Sequence, residues 1–330
     1  MNSYRDIIKP FLNRILTSIL ILLLLIVFIF VLIRLAPGDP TTRFVSPKLS
    51  PELAQNVQKS FGLNEPVYKQ LILFTEKMLT GNFGISYNFR LPVLDVIKKY
   101  FLFTLIFSSI SILIQLFVSF WLAKISFNHQ GRIIDRTLTK SLVLIYSIPT
   151  FVIGLILIYL FSVRLRLFPT SGLTSLYYDD TNSLENLLDN LWHLVLPLIT
   201  LSVAGISIFY KYLRDNLIAV SKQAFIVNLK AFGIDKKIIY KKHILPNAIQ
   251  PLVSIAGVEF GLLLGGSLIT EVIFALPGMG RLTINAIMNR DFPLVTGCTF
   301  VAGFMVIVIN LLADLIKMKL DKRLIKDLIK

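Results

Sequence analysis

Apolar residues in this chain gather into long unbroken runs, and the polar residues collect between them. Six runs, 15–35, 101–123, 141–163, 194–208, 251–274 and 295–317, approach or reach the roughly 20 residues that a helix needs to cross a bilayer. A backbone in lipid must satisfy its own hydrogen bonds, so such runs predict helices. The expected fold class is an all-α polytopic membrane protein with about six transmembrane helices. The first run follows Arg5, Lys9 and Arg14 and meets no small-residue cleavage pattern, so it reads as an uncleaved helix with its N-terminus inside. Basic loops fix the rest of the topology. Lys124, His129, Arg132, Arg136 and Lys140 follow the second run, and Lys317, Lys319, Lys322, Arg323, Lys326 and Lys330 follow the sixth. Both termini are therefore expected in the cytosol.

This pattern divides the chain into a cytosolic N-terminus with the first span (1–35), an extracytoplasmic cap segment (36–100) and a membrane core (101–330). The cap is punctuated by Pro47, Pro51, Pro66 and Pro92, with a helical pattern over 66–79. Gly81 and Gly84 mark a turn there, and no Gly-Lys-Ser/Thr follows to make a phosphate loop. Pro149 predicts a kink within the third span. The external loop 164–192 carries Asp179, Asp180, Glu185 and Asp189 at irregular spacing, the signature of a solvated loop; no metal site is expected. Composition agrees: 55% of residues are hydrophobic, and the net charge of +15 sits in the loops, where it suits anionic lipid rather than nucleic acid. The single cysteine, Cys298, excludes an internal disulfide and a cysteine-based metal cluster.

The most informative polar island is the cytosolic loop 211–247, above all its part from Gln223 to Asn247. Gly233 is placed to end one short helix in the left-handed conformation, and Asp235 to cap the next. That second helix puts Ile238 and Ile239 on one side with Lys236, Lys237, Lys241 and Lys242 around the rest, and Pro246 is expected to close it. The result is an amphipathic elbow between the fourth and fifth spans. Within the fifth span Gly257, Gly261 and Gly265 share a face, a seam for close packing against another span or a sister subunit. Glu259 lies on the same run and Gln115 in the second, among Ser108, Ser111 and Ser119. Both are candidate pathway residues, although helix packing is the favoured reading of the polar stripe that includes Gln115. Glu259 would favour cationic or amine-bearing cargo. The external loop 275–294 turns at Pro277-Gly278 and flexes at Gly280, with a short re-entrant or interfacial helix over 283–288.

Three groups of residues carry a resemblance. Ala231-Phe232-Gly233-Ile234-Asp235 followed by His243-Ile244-Leu245-Pro246-Asn247 is similar to the coupling loop of bacterial ABC-importer permeases. The stretches ending Leu35-Ala36-Pro37-Gly38-Asp39-Pro40 and running Gly81 to Tyr87 resemble the dipeptide, oligopeptide and nickel branch. So does Glu271-Val272-Ile273-Phe274-Ala275-Leu276-Pro277-Gly278-Met279-Gly280-Arg281-Leu282, with Arg290-Asp291-Phe292-Pro293 after it. Departures are Leu229 for a small residue, Leu276 for tryptophan and Lys322 for proline.

The resemblance implies the type I ABC-importer permease fold in a bacterial cytoplasmic membrane. It implies half of a translocation pathway for peptides, with nickel or a metal chelate as the alternative cargo. The implied partners are a sister permease, two cytosolic ATPase subunits and an extracytoplasmic binding protein. Lys236, Lys237, His243, Leu245, Pro246 and Asn247 then belong to the ATPase-coupling loop, and Glu271, Pro277, Gly278, Gly280 and Arg281 to an external loop near the binding-protein dock. No catalytic residue and no bound cofactor is implied; ATP and magnesium belong to the partners. Two other classes compete. A proton-coupled carrier could use Glu259 and Asp314 but would be expected to show a repeated half, and none is visible. An intramembrane enzyme finds no support in His129, His193 and His243, which lie in different loops.

Overall fold

The computed structural model describes residues 5–35, 65–175 and 183–320. The Ala36–Pro40 part of the first motif, Asp179, Asp180 and the basic tail from Asp321 onward lie outside the described residues. In chain order the helices are α1 (Arg5–Leu35), α2 (Val67–Thr80), α3 (Val93–Asn128), α4 (Ile133–Tyr146), α5 (Thr150–Leu157), α6 (Ser183–Ser221), α7 (Ala224–Ala231), α8 (Lys236–Ile239), α9 (Leu245–Gly266), α10 (Leu268–Ile273), α11 (Met279–Met288) and α12 (Phe292–Leu320). Two π-helical segments, Ile158–Arg164 and Tyr240–Ile244, continue α5 and α8. Among the described residues no strand forms; Ile85 and Pro92 make an isolated bridge.

Five helical stretches are long and apolar enough to cross a membrane: Leu12–Leu35, Val93–Asn128, Leu184–Ser221, Lys236–Ile273 and Phe292–Ile316. The sixth candidate is the pair Ile133–Tyr146 and Thr150–Arg164, bent by 97°. The expected continuous third span is thus a broken one. Pro149 begins a new helix instead of kinking the old one, because the residue before a proline is driven out of the helical region. The fourth span is far longer than its apolar run and carries Pro197 inside it. Glu185 and Asp189, expected in a solvated loop, lie on this helix.

The chain forms two compact units. The first draws on Met1–Leu105, Leu264–Leu268 and Pro277–Val308. Its core joins Ile26 and Ile29 of α1, Phe74 and Met78 of α2, Val93 and Ile97 of α3, and Met279 and Leu294 of α11 and α12. Thus the described part of the expected cap packs directly on the first span, with Phe30 and Phe74 ring centroids 5.5 Å apart. The second unit contains Ile106–Leu263, Ile269–Leu276 and Ile309–Lys330. Its largest buried side chains include Tyr210, Phe209 and Leu213 on α6 and Phe107 on α3.

Small residues set the closest approach in that second unit. A Cβ on Gly257 would stand 2.3 Å from the Cβ of Ala313 on α12. The small-residue face of α9 is therefore used, at this position, within the chain. Gly257→Val should lower the unfolding temperature of the detergent-purified protein, at a cost of about 1–3 kcal/mol for overpacking. An unchanged transition would mean that α9 and α12 part without penalty.

Candidate functional site

The elbow after α6 is built as the sequence leads one to expect up to Asp235. α7 ends where Gly233 takes φ +74°, with its N–H on the Lys230 carbonyl and the Ile234 N–H on that of Leu229. A Cβ at Gly233 would meet nothing within 4 Å, so only the backbone conformation asks for glycine there. The Asp235 carboxylate then accepts the N–H groups of Lys237 (2.7 Å) and Ile238 (3.3 Å), capping α8.

Beyond α8 the structure departs from expectation. Pro246 does not close the second helix; α8 runs through the π-helical segment into α9 as one continuous stretch, Lys236–Ile273. A proline ring collides with the carbonyl four residues back in a regular helix. The widened π turn, in which Leu245 N–H bonds the Tyr240 carbonyl, provides the different register. The Asn247 side chain donates to the His243 carbonyl at 2.6 Å, so the two ends of the His-to-Asn block hold each other.

Ile238 and Ile239 also part company: Ile239 is buried and Ile238 is 45% exposed. Ile226, Ile239, Ile244 and Ala248 anchor the elbow, and the Tyr240 ring stacks on Phe127 at 5.8 Å. Ile234, His243 and Leu245 are half-buried, and most of the remaining elbow residues face outward. Phe232 is 82% exposed, beside exposed Ala231, Lys236 and Lys237. A basic ledge with an apolar knob results, held by these buried side chains and the Tyr240 stack.

Of the two candidate pathway residues, Gln115 is placed otherwise. It is fully buried, donating to Ser111 Oγ (3.1 Å) and the Leu201 carbonyl (3.4 Å). A Cβ on Gly205 would fall 1.9 Å from its Oε1, so the glycine is there to admit it. With the Ser111–Ser202 contact at 3.0 Å and Ser108 on the Leu263 carbonyl, the hydroxyl stripe of α3 is a packing surface. Glu259 is half-buried on α9, one turn beyond Ile255. Ile255 lines a cavity of about 520 Å³ between α4, α6 and α9. Its wall is mostly apolar; Thr139 and Ser207 on it spend their hydroxyls on Tyr210 and the Val203 carbonyl, while Ser254 Oγ has no hydrogen-bond partner among the described residues. No sequence motif marks this cavity.

On the external side the turn falls earlier than expected. Ala275, at φ +51°, makes it, with Leu276 N–H on the Glu271 carbonyl at 2.8 Å. Gly278 is extended and precedes α11, which already contains Gly280 and Arg281, so Gly280 is a helical residue and not a second hinge. Met279 N–H donates to Thr104 Oγ1 at 2.8 Å. Asp291 is buried and joins two motifs far apart in sequence. Its Oδ2 accepts from Ser86 Oγ (2.5 Å) and Asn88 N–H (3.1 Å), while its Oδ1 accepts from Leu294 N–H (3.3 Å). Burial and this carboxylate together hold the Tyr87 phenol well above its ordinary range.

A further cluster brings together residues that sequence reasoning kept apart. Ser175 donates its N–H (2.7 Å) and hydroxyl (2.8 Å) to Asp189, and its Oγ lies 3.2 Å from His193 Nε2. His193 Nδ1 meets the Gly172 carbonyl at 3.1 Å. The carboxylate holds the serine instead of orienting the imidazole, so the order of a proton relay is missing. The cluster pins the loop at Gly172–Ser175, whose Gly172 N–H also reaches the Phe274 carbonyl.

Comparison with known proteins agrees with this architecture. The family described as binding-protein-dependent transport system inner membrane component matches residues 115–326, and its N-terminal companion matches 7–108. The oligopeptide transport system permease protein AppB of Bacillus subtilis is 33% identical over 314 residues, covering 95% of this chain and 98% of the relative. The dipeptide transport system permease protein DppB of Escherichia coli K12 is 30% identical over 301 residues, covering 86% and 89%. A solved structure of the MetNI methionine ABC transporter in inward-facing form matches with TM-score 0.52 at 17% identity, over 68% of this chain and 96% of that one, a likeness of fold. Two family matches that between them take in most of the chain, and relatives aligned nearly end to end, place it among membrane-embedded transport components: the chain belongs to the family of binding-protein-dependent transport system inner membrane components.

Proposed function

We propose that this chain is the membrane-spanning permease subunit of an ATP-driven importer whose cargo is peptides. The observation that carries the reading is end-to-end similarity, at 30% identity or above, to permeases named for oligopeptide and dipeptide transport. The elbow supports it physically. A ledge attached to α6 on one side and continuous with α9 on the other is suited to pass a push from a cytosolic partner into two spans. ATP and magnesium act on separate ATPase subunits, and this chain supplies no catalytic group or bound cofactor. Two such ATPases, a sister permease and an extracytoplasmic binding protein complete the assembly. The cavity between α4, α6 and α9 is our choice for this subunit's share of the cargo route: its wall is largely apolar, and the Ser254 hydroxyl on it could meet a peptide group once water is excluded.

The test is to extract a tagged copy in mild detergent, identify what co-purifies, and measure uptake of radiolabelled trialanine by the reconstituted assembly. ATPase polypeptides, a second permease and ATP-dependent uptake are the expected result. A lone, folded chain that transports without ATP would overturn the reading.

A further inference from the structure

We propose that a buried ion pair between Asp135 and Arg214 is the joint through which the cytosolic elbow moves α3 and α4, a role that rests on the importer reading. The geometry is specific. Arg214 Nε and Nη2 donate to the two oxygens of Asp135 at 2.6 and 2.8 Å, a bidentate fork. Asp135 is buried, its Oδ2 also accepts Gly131 N–H at 2.8 Å, and Ser126 donates to its Oδ1. Arg214 Nε also reaches Ser126 Oγ at 3.2 Å. The Tyr210 hydroxyl lies 2.8 Å from Ser126 Oγ and 2.9 Å from Thr139 Oγ1. One carboxylate thus ties together the end of α3, the Gly131 turn, the start of α4 and the last two turns of α6.

Stability alone is a weak reason for this arrangement. Desolvating two charges costs about what their attraction returns, and an apolar cluster of the same size often holds as well. What a bidentate pair supplies is a fixed relative position. A turn at Lys222 and extended Gln223 join α6 to α7, so a displacement of the elbow pulls through this two-residue link on the helix that carries Arg214. Without the pair, α6 can yield to that pull while α3 and α4 stay behind, and hydrolysis no longer drives the spans as one body. Arg214 Nη1 is held in addition by Asp215 at 2.9 Å, which keeps the guanidinium aimed while α6 moves.

The experiment uses the complete importer in proteoliposomes, measuring ATP hydrolysis and trialanine uptake in the same vesicles. For Asp135→Asn we expect hydrolysis to persist while uptake per ATP falls on the order of tenfold, within the usual range of coupling energies. Arg214→Lys should fall between, and the exchange Asp135→Arg with Arg214→Asp should recover part of the loss. Spin labels at exposed Lys140 on α4 and Ala219 on α6, neither of them on the cavity wall, give a readout independent of cargo. Their separation should stay fixed through the ATP cycle in the otherwise native chain and spread in Asp135→Asn. Should the Asn variant fail to assemble, Arg214→Lys decides. Unchanged uptake per ATP, hydrolysis and uptake falling in parallel, or a label distance that varies equally with and without the pair, would each overturn the joint. A native assembly that never hydrolyses ATP would bring down the importer reading itself, and this role with it.

Discussion

Phe232→Asp should leave this chain folded and strip it of its ATPase partner. A phenylalanine that is 82% exposed contributes almost nothing to the fold, and the turn beside it depends on Gly233 and Asp235 instead. Exposed aromatics at the centre of a ledge are the residues that dominate binding when a partner covers them, and their loss typically costs 2 kcal/mol or more, about thirtyfold in affinity. Aspartate adds a charge where the flanking lysines 236 and 237 point to an acidic partner. The expected result is an unchanged thermal transition for the purified chain together with loss of ATPase co-purification and of uptake. Phe232→Leu, which keeps an apolar knob, should retain most of both. If Phe232→Asp co-purified its ATPases at native yield, the ledge would not be the contact.

The largest expected loss of stability is at Asp291. Replacing it with alanine removes the acceptor for Ser86, for the Asn88 N–H and for the first turn of α12 in a buried site. Each unsatisfied buried group costs about 1–3 kcal/mol, so the total is on the order of 3 kcal/mol or more, a large share of a membrane domain's margin. We expect Asp291→Ala to lower the unfolding temperature strongly and to expose the Ser86 segment to added protease. Ser86→Ala removes the bond to Asp291 and the acceptor for Phe89 N–H but leaves Asp291 bonded to Asn88 and Leu294, and it should cost less. A transition for Asp291→Ala within a degree of the native protein would show that the two external motifs are held by something else.

The periods of apolar and polar residues determined the class and located five unbroken spans and the region of the sixth candidate, because a bilayer asks only for length and apolarity. The sequence also located the elbow, since left-handed glycine and an aspartate N-cap act over three or four residues. What distance along the chain concealed, the tertiary structure decided. Pro149 breaks a span by 97° and Pro246 is absorbed into a continuous helix, though proline's local chemistry is the same in both. The difference lies in the backbone before each proline: the chain leaves the helix at Ser147 and Ile148, whereas a π turn leads into Pro246. Gln115 admitted both a packing and a pathway reading from sequence, and it is a buried contact, because Gly205, some ninety positions away, leaves room for it. Arg214 falls within the basic loop 211–247 and Asp135 far from it among the basic residues after the second run, and Ser86 and Asp291 belong to separate motifs. Each pair is a bond between segments brought together only by packing, and a charge shows no partner until the helices that carry it have been set side by side.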